Sequence, residues 1–360
     1  MNVNRREFIG LSMSAASGLM TGCAGLSRQP AFEVADGDLM WGALVHFGMN
    51  MWLDWQSPAY CGYGKDEVEL RWPADHVRCE PALWREWTAA MARNRLNTIV
   101  IDLGEALAYP SHPELAVKGS LTPSQMRDEL KRLRDLGLMT IPKMNFSCTH
   151  NAWMKGYRRM VSTPAYYRLC EDLIRDVCEI FDGPRYFHIG YDEETAEHQK
   201  AQSIAVVRQG ELWWHDFLHV VSNVEKNGSR AWAFSDIAWR HMDEFRKNMP
   251  KSVLQCPWNF RADDQHPEYI ESVREMVRLG YEIGPDLGTF TTKSRDAISE
   301  IETDNWYDFC RDEKNMPRNQ LKGFLFCSWA RPIAYHRQKN LKTFDLAGRM
   351  HDRWDREVGR

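Results

Sequence analysis

No Cys-x-x-Cys pair occurs in the chain, and no Cys/His spacing matches a zinc site, although the 360 residues include nine cysteines. Apart from Cys23 these are Cys61, Cys79, Cys148, Cys170, Cys178, Cys256, Cys310 and Cys327. Several stand in apolar runs, where a free thiol behaves as a small hydrophobe. Their even count permits disulfides without fixing a pairing. No Gly-rich phosphate loop appears, which argues against a doubly wound nucleotide-binding sheet. Nothing calls for a cofactor or a metal, since His46, His150 and His188 fall on different predicted strands without ligand spacing. Positive charge is not in excess either. The formal net charge of -4 leaves no basic surface for nucleic acid. Beyond the first thirty residues no apolar run is long enough to span a bilayer. Internal repeats and low-complexity stretches are absent.

The N-terminus is distinctive. Arg5-Arg6 precede Phe8, and Ile9 to Met20 are apolar or small and uncharged. This is the anatomy of an export signal, too short to span a bilayer as a stable helix. The Arg pair resembles a twin-arginine signal, and Met20-Thr21-Gly22-Cys23 resembles a bacterial lipobox. The expectation is an exported periplasmic or cell-surface lipoprotein, touching the membrane only through a lipid on Cys23. A cleaved signal with an incidental cysteine is the plainer alternative. Residues 1–23 are therefore set apart from the fold, 24–37 read as a polar tether, and 38–360 as one domain.

Within that domain short apolar runs alternate with helical patterns. The expected strands are Leu44–Phe47, Asn97–Asp102, Leu138–Ile141, Tyr186–Ile189, Arg230–Phe234, Val253–Cys256, Tyr281–Gly284 and Gly323–Cys327. Helices are expected near Ala82–Asn94, after Thr122-Pro123, after Thr163-Pro164, over Leu212–Lys226 and over Ile270–Leu279. Thr122 with Gln125 predicts a capping box, and Gly137 a helix stop. Eight such alternations predict an α/β fold, a parallel (β/α)8 TIM barrel. In that architecture chemistry gathers at the C-terminal ends of the strands. Those ends supply His46 and Asn50, Asp102 and Glu105, Asn145 and His150, Asp192-Glu193-Glu194, Asp236 and Trp239, Trp258 and Asn259, Asp286, and Trp329 with Arg331. Fifteen tryptophans add broad apolar faces that suit the C–H faces of sugar rings. For any single Trp, core packing is the simpler explanation. The set as a whole suits a polar, ring-shaped ligand.

Two segments carry a resemblance. Ile141-Pro142-Lys143-Met144-Asn145 through His150, and His188-Ile189-Gly190-Tyr191-Asp192-Glu193, resemble the third and fourth strand ends of family 20 glycoside hydrolases, the β-N-acetylhexosaminidases and their relatives. Gln255 and Trp258 resemble that family's sixth strand, Gly280-Tyr281 the entry to its seventh, and Trp329 a pocket tryptophan of its last. The departures are also specific. Tyr191 stands where members often have a second glycine. Arg331 replaces a Glu that binds sugar hydroxyls. No Tyr-x-Asp pattern matches near Pro285-Asp286, and no first-strand Arg is evident. The resemblance implies Glu193 as the acid/base and Asp192 as partner of a 2-acetamido group that attacks in place of an enzyme carboxylate. It further implies His150, His188, Asn145, Asp236, Trp258 and Trp329 as substrate-binding residues and a carbohydrate as partner.

The residues taken alone leave other readings. Asp192-Glu193-Glu194-Thr195 could be an acidic helix start favoured by the helix dipole. His150 and His188 could be satisfied core histidines. The chain could be a carbohydrate-binding lipoprotein on a degenerate barrel. It could also hydrolyse a non-acetylated sugar, with Asp236 as the second carboxylate.

Overall fold

The computed structural model describes residues 32–60, 64–259, 267–288 and 296–359. The signal segment, Cys23 and Cys61 lie outside them. Seven parallel strands form one curved sheet: β1 (Met40–His46), β2 (Thr98–Asp102), β3 (Met139–Lys143), β4 (Tyr186–Gly190), β5 (Arg230–Phe234), β6 (Leu254–Cys256) and β7 (Gly323–Cys327). Their order is β6-β5-β4-β3-β2-β1-β7. The strands are apolar almost throughout because both faces are covered. One set of alternate residues, including Leu44, Val100, Met139, Ile141, Tyr186, Trp232, Leu254 and Leu325, fills the barrel interior. The other, including Val45, Ile101, Phe187, Ile189, Ala233 and Phe326, packs outward against the helices. The architecture is the expected (β/α)8 barrel.

The eighth position is built differently from the expectation. Tyr281–Gly284 is not a ladder strand. Single bridges join Ile283 to Gln255 and Leu321, and Asp286 to Trp258 and Leu325. Pro285 has no N–H to donate, although its carbonyl accepts from Leu325 at 2.9 Å, so the pairing here is reduced to isolated bridges. The Ile283 N–H donates to Gln320 at 2.8 Å and the Asp286 N–H to Pro257 at 2.9 Å. These bridges close the barrel between β6 and β7.

The helices start where short-range chemistry dictates. Thr122 caps Pro123–Asp135 in a two-way capping box with Gln125. Thr163 caps Pro164–Ile180. The chain leaves the first of these through Gly137 at φ +78°. Part of the stretch read as a tether belongs to the barrel: Val34 is buried in the barrel-interior cluster, and its carbonyl accepts from Arg185 at 3.0 Å. Among the described residues no helix is long and apolar enough to cross a membrane.

Candidate active site

The site begins where β4 ends. Gly190 sits at φ +71°, and a Cβ there would lie 2.2 Å from the Asn145 side chain. Only glycine lets β4 approach the end of β3 this closely. Tyr191 at φ +74° and Glu193 at φ +56° are also left-handed. Each costs on the order of 1 kcal/mol or more in that conformation, and each is held by hydrogen bonds. The Tyr191 N–H donates to Asn145 Oδ1 at 3.2 Å. The Glu193 N–H donates to Asp236 Oδ2 at 2.9 Å, and the Glu193 carbonyl accepts from Thr149 Oγ1 at 2.7 Å. Ser147 Oγ donates to the Asp192 carbonyl at 2.6 Å.

This twisted path sends three successive carboxylates into three environments. Asp192 turns inward and is buried. Asn145 Nδ2 donates to its Oδ1 at 2.7 Å, and His150 Nε2 lies 3.2 Å from its Oδ2. Burial opposes its charge, but His150, Lys143 and Asn145 together hold the carboxyl below its ordinary range. Glu193 remains 27% exposed in its side chain, with Oε2 3.3 Å from His150 Nε2 and Oε1 3.4 Å from His198 Nε2. Glu194 turns away and pairs with Arg208, whose Nε and Nη2 reach it at 2.7 and 2.5 Å. The acidic run is therefore no helix start. The only helix here is Ala196–Gln199, capped by Thr195.

His150 sits between the two carboxylates. Burial alone would lower it, but Asp192 and Glu193 outweigh that cost and raise it to about 9. Asp236 moves the other way for a carboxyl. Burial and the charge of Asp192 push it up to about 8. His150, Asp192 and Glu193 also place three donor atoms within 4.8 Å of one another, the compactness of a metal ligand set. His150 Nε2 is at hydrogen-bond distance from both acids, so a proton on it can be shared between them.

A cavity of about 1040 Å³ opens over this cluster at the C-terminal mouth of the barrel. Its wall includes His150, Asp192, Glu193, Asp236, Trp258 and Trp329. Two expected substrate-binding residues are not on it. Asn145 is buried behind Asp192 as its hydrogen-bond brace, and it also accepts the Ser147 N–H at 3.0 Å. His188 is buried inside the barrel, where its Nδ1 accepts the Gly190 N–H at 3.2 Å. That contact leaves the proton on Nε2, and burial with the nearby Lys143 charge keeps the ring neutral. Both residues shape the site from behind because β3 and β4 direct them into the barrel.

Other wall residues escaped the sequence reading. His198 follows the Thr195 cap, and its Nδ1 lies 2.7 Å from Thr195 Oγ1. The only signal for it was a Thr-x-x-His spacing at a helix start. Trp52, Tyr60 and Arg71 come from the long connection after β1, which has no periodicity to locate them. Trp239, expected beside Asp236 at the end of the fifth strand, lies on the helix Ile237–Arg240, stacks on Tyr269 at 3.8 Å and meets Trp258 edge-on at 4.4 Å. Beneath the site, Asp102 Oδ2 accepts from Lys143 Nζ at 2.6 Å and lies 3.1 Å from His46 Nδ1. Trp87, Trp153 and Trp232 are core residues, so the tryptophan excess serves both core and cavity.

No family model and no curated protein matches the sequence. Solved structures do resemble the fold. A family 20 exo-β-N-acetylglucosaminidase from Vibrio harveyi, in complex with N-acetylglucosamine, aligns over 86% of this chain and 54% of its own at 13% identity and TM-score 0.56. A β-N-acetylhexosaminidase from Bacteroides fragilis aligns over 87% and 65% at 11% identity and TM-score 0.56. The N-acetyl-β-hexosaminidase of Streptomyces plicatus, in complex with Thio-NAglucal, aligns over 85% and 63% at 13% identity and TM-score 0.57. The chain spans between about half and two thirds of the length of these proteins. At such identities the likeness establishes the fold, the barrel of the family 20 hexosaminidases.

Proposed function

We propose that this barrel is a glycoside hydrolase acting on N-acetylhexosaminides by a substrate-assisted, retaining route. The observation that carries the proposal is the division between Asp192 and Glu193. Adjacent in sequence, one is buried, ionised and braced by Asn145 and His150, and the other stands half-open on the cavity wall. Such hydrolysis needs a proton for the leaving oxygen and a partner for developing positive charge. Glu193 supplies the first from its cavity position. Asp192 supplies the second: its fixed negative charge accepts the N–H of a 2-acetamido group and orients that group's oxygen toward the anomeric carbon. After the leaving group departs, Glu193 takes the proton of the attacking water, which restores the acid. Trp258, Trp329 and Trp52 present apolar faces and limit water around the reacting carbon.

The two-carboxylate route on a non-acetylated sugar is less well supported. Its second carboxylate would be Asp236, whose carboxyl is pushed up to about 8 and whose Oδ2 is committed to the Glu193 N–H. That leaves the Asp236 carboxyl mostly protonated at neutral pH, a weak nucleophile. The deciding experiment is turnover of paired chromogenic glycosides with and without a 2-acetamido group. Selective cleavage of the acetamido member is expected. Equal rates on both would reject substrate assistance, and sugar binding without cleavage of either would make the chain a binding protein. We further propose that the enzyme acts outside the cytoplasm, on the strength of the Arg5-Arg6 signal and Cys23.

A further inference from the structure

Two imidazoles hold the Glu193 carboxyl, one at each oxygen. His150 Nε2 lies 3.3 Å from Oε2, and His198 Nε2 lies 3.4 Å from Oε1. The two rings are not equivalent. His150 is buried, and its Nε2 also lies 3.2 Å from Asp192 Oδ2. A single Nε2–H divided between two carboxylates holds each less firmly than one of its own. His198 Nε2 pairs with Glu193 alone. Its side chain is 36% exposed and stands on the cavity wall.

The chain aims His198 by local contacts. The Thr195 N–H donates to the Glu193 carbonyl at 2.7 Å, which folds the segment back on itself. Thr195 Oγ1 accepts the His198 N–H at 3.2 Å as the cap of Ala196–Gln199, and the same oxygen lies 2.7 Å from the ring Nδ1. A hydroxyl that accepts through a lone pair still has its proton to give, and Nδ1 is the acceptor within its reach. That leaves the ring proton on Nε2, facing Glu193 Oε1. The cap, the ring and the carboxyl form one closed loop within residues 193–198.

We propose that His198 is a positioning residue for the acid/base: its Nε2–H holds Oε1 of Glu193, keeps the carboxyl turned to the cavity and stabilises the charge left there when its proton passes to the leaving oxygen. In that step the proton moves from Glu193 to the glycosidic oxygen, the bond from that oxygen to the anomeric carbon breaks, and the negative charge stays on Glu193. His198 neither gains nor loses a proton. Hydrogen bonds to an ionised acceptor are stronger than those to a neutral one, so the contact tightens as the charge develops. The inference rests on the hydrolase reading, but the contact can be measured without turnover.

Two measurements on the full chain test it. In steady-state kinetics, His198→Ala should lower kcat about tenfold on N-acetylhexosaminides with poor leaving groups and much less on activated aryl glycosides, with KM little changed. His198→Gln, whose amide N–H reaches the place of Nε2, should recover most of the loss. Thr195→Val, which removes the hydroxyl that orients the ring, should fall between them. A raised KM with kcat kept would make His198 a substrate contact and overturn the proposal. So would an equal loss across leaving groups. The second measurement is the rate at which a carbodiimide and glycinamide label Glu193 in the absence of sugar, localised by tandem mass spectrometry. Labelling should be severalfold faster in His198→Ala than in the wild type, and close to the wild type in His198→Gln. Equal rates in all three overturn the proposal. Faster labelling of His198→Ala in a chain that cleaves no glycoside would reject the hydrolase reading and retain the hold of His198 on Glu193.

Discussion

Glu193 and Asp192 differ by where the backbone sends them, and their variants should differ accordingly. Under the proposed mechanism Glu193→Gln removes the proton donor, so cleavage of glycosides with poor leaving groups should fall by a factor of about 100 to 10,000. Activated aryl glycosides, which need little protonation, should lose less. Asp192→Asn should be impaired on both, because it would remove the proposed partner of the attacking amide. Uniform losses for both variants across leaving groups would contradict these roles. The shared-proton cluster also sets a pH dependence. His150 is raised to about 9, so its folded state holds a proton more tightly than the unfolded chain does. Its contribution to stability is complete below its ordinary value near 6.5 and is lost as pH rises through about 9. Asp192 is shifted down, so its share is lost only on strong acidification. Urea midpoints of the wild type should therefore fall between pH 7 and 9, and those of His150→Gln should fall less. Parallel curves for the two proteins would remove His150 from the account.

At the scale of elements, local rules explain most of what forms. The Thr122 box is exposed and touches nothing in the site, so Thr122→Ala should cost about 1 kcal/mol and leave activity intact. A thermal melt and a rate measured together check both halves. The capped helices, the apolar strands and the placing of Asp192, Glu193, Trp258 and Trp329 at one mouth were legible because period, caps and barrel topology are short-range or architectural. Asn145 and His188 were legible as neighbours of the site but not as its braces. Their direction depends on how β3 and β4 meet at Gly190, a contact between strands 45 residues apart in sequence (145 to 190). The left-handed turns at Tyr191 and Glu193 carry no composition signal, since neither residue is a usual choice for that conformation. Arg71 and Trp52 lie in an aperiodic connection and gain meaning only from the cavity. The expected seventh strand closes the barrel but is cut to isolated bridges, because Pro285 just beyond it cannot donate an N–H.

For the whole molecule, the proposed export and lipid anchor rest on Arg5, Arg6 and Cys23. Cys23→Ala should move the protein from the membrane fraction to the soluble one, and Arg5→Lys with Arg6→Lys should block its export. A Cys23→Ala protein that still sediments fully with membranes would rule out the lipid anchor. The barrel itself is unevenly fastened. Five residues pair between β1 and β2, while β3 and β4 share the single pair Lys143–His188. At the join between β6 and β7 residues 282–287 bond to both neighbours but pair only through isolated bridges at Ile283 and Asp286, and Pro285 cannot donate. Opening there parts fewer ladder pairs than opening between β1 and β2. In heavy water, the amide protons of Ile283 and Asp286 should therefore be replaced well before those of Val100 and Ile101 in β2. The join lies beside Trp258, so a bound ligand that packs on this tryptophan should slow the exchange, and the seam would then report occupancy of the cavity without any catalysis.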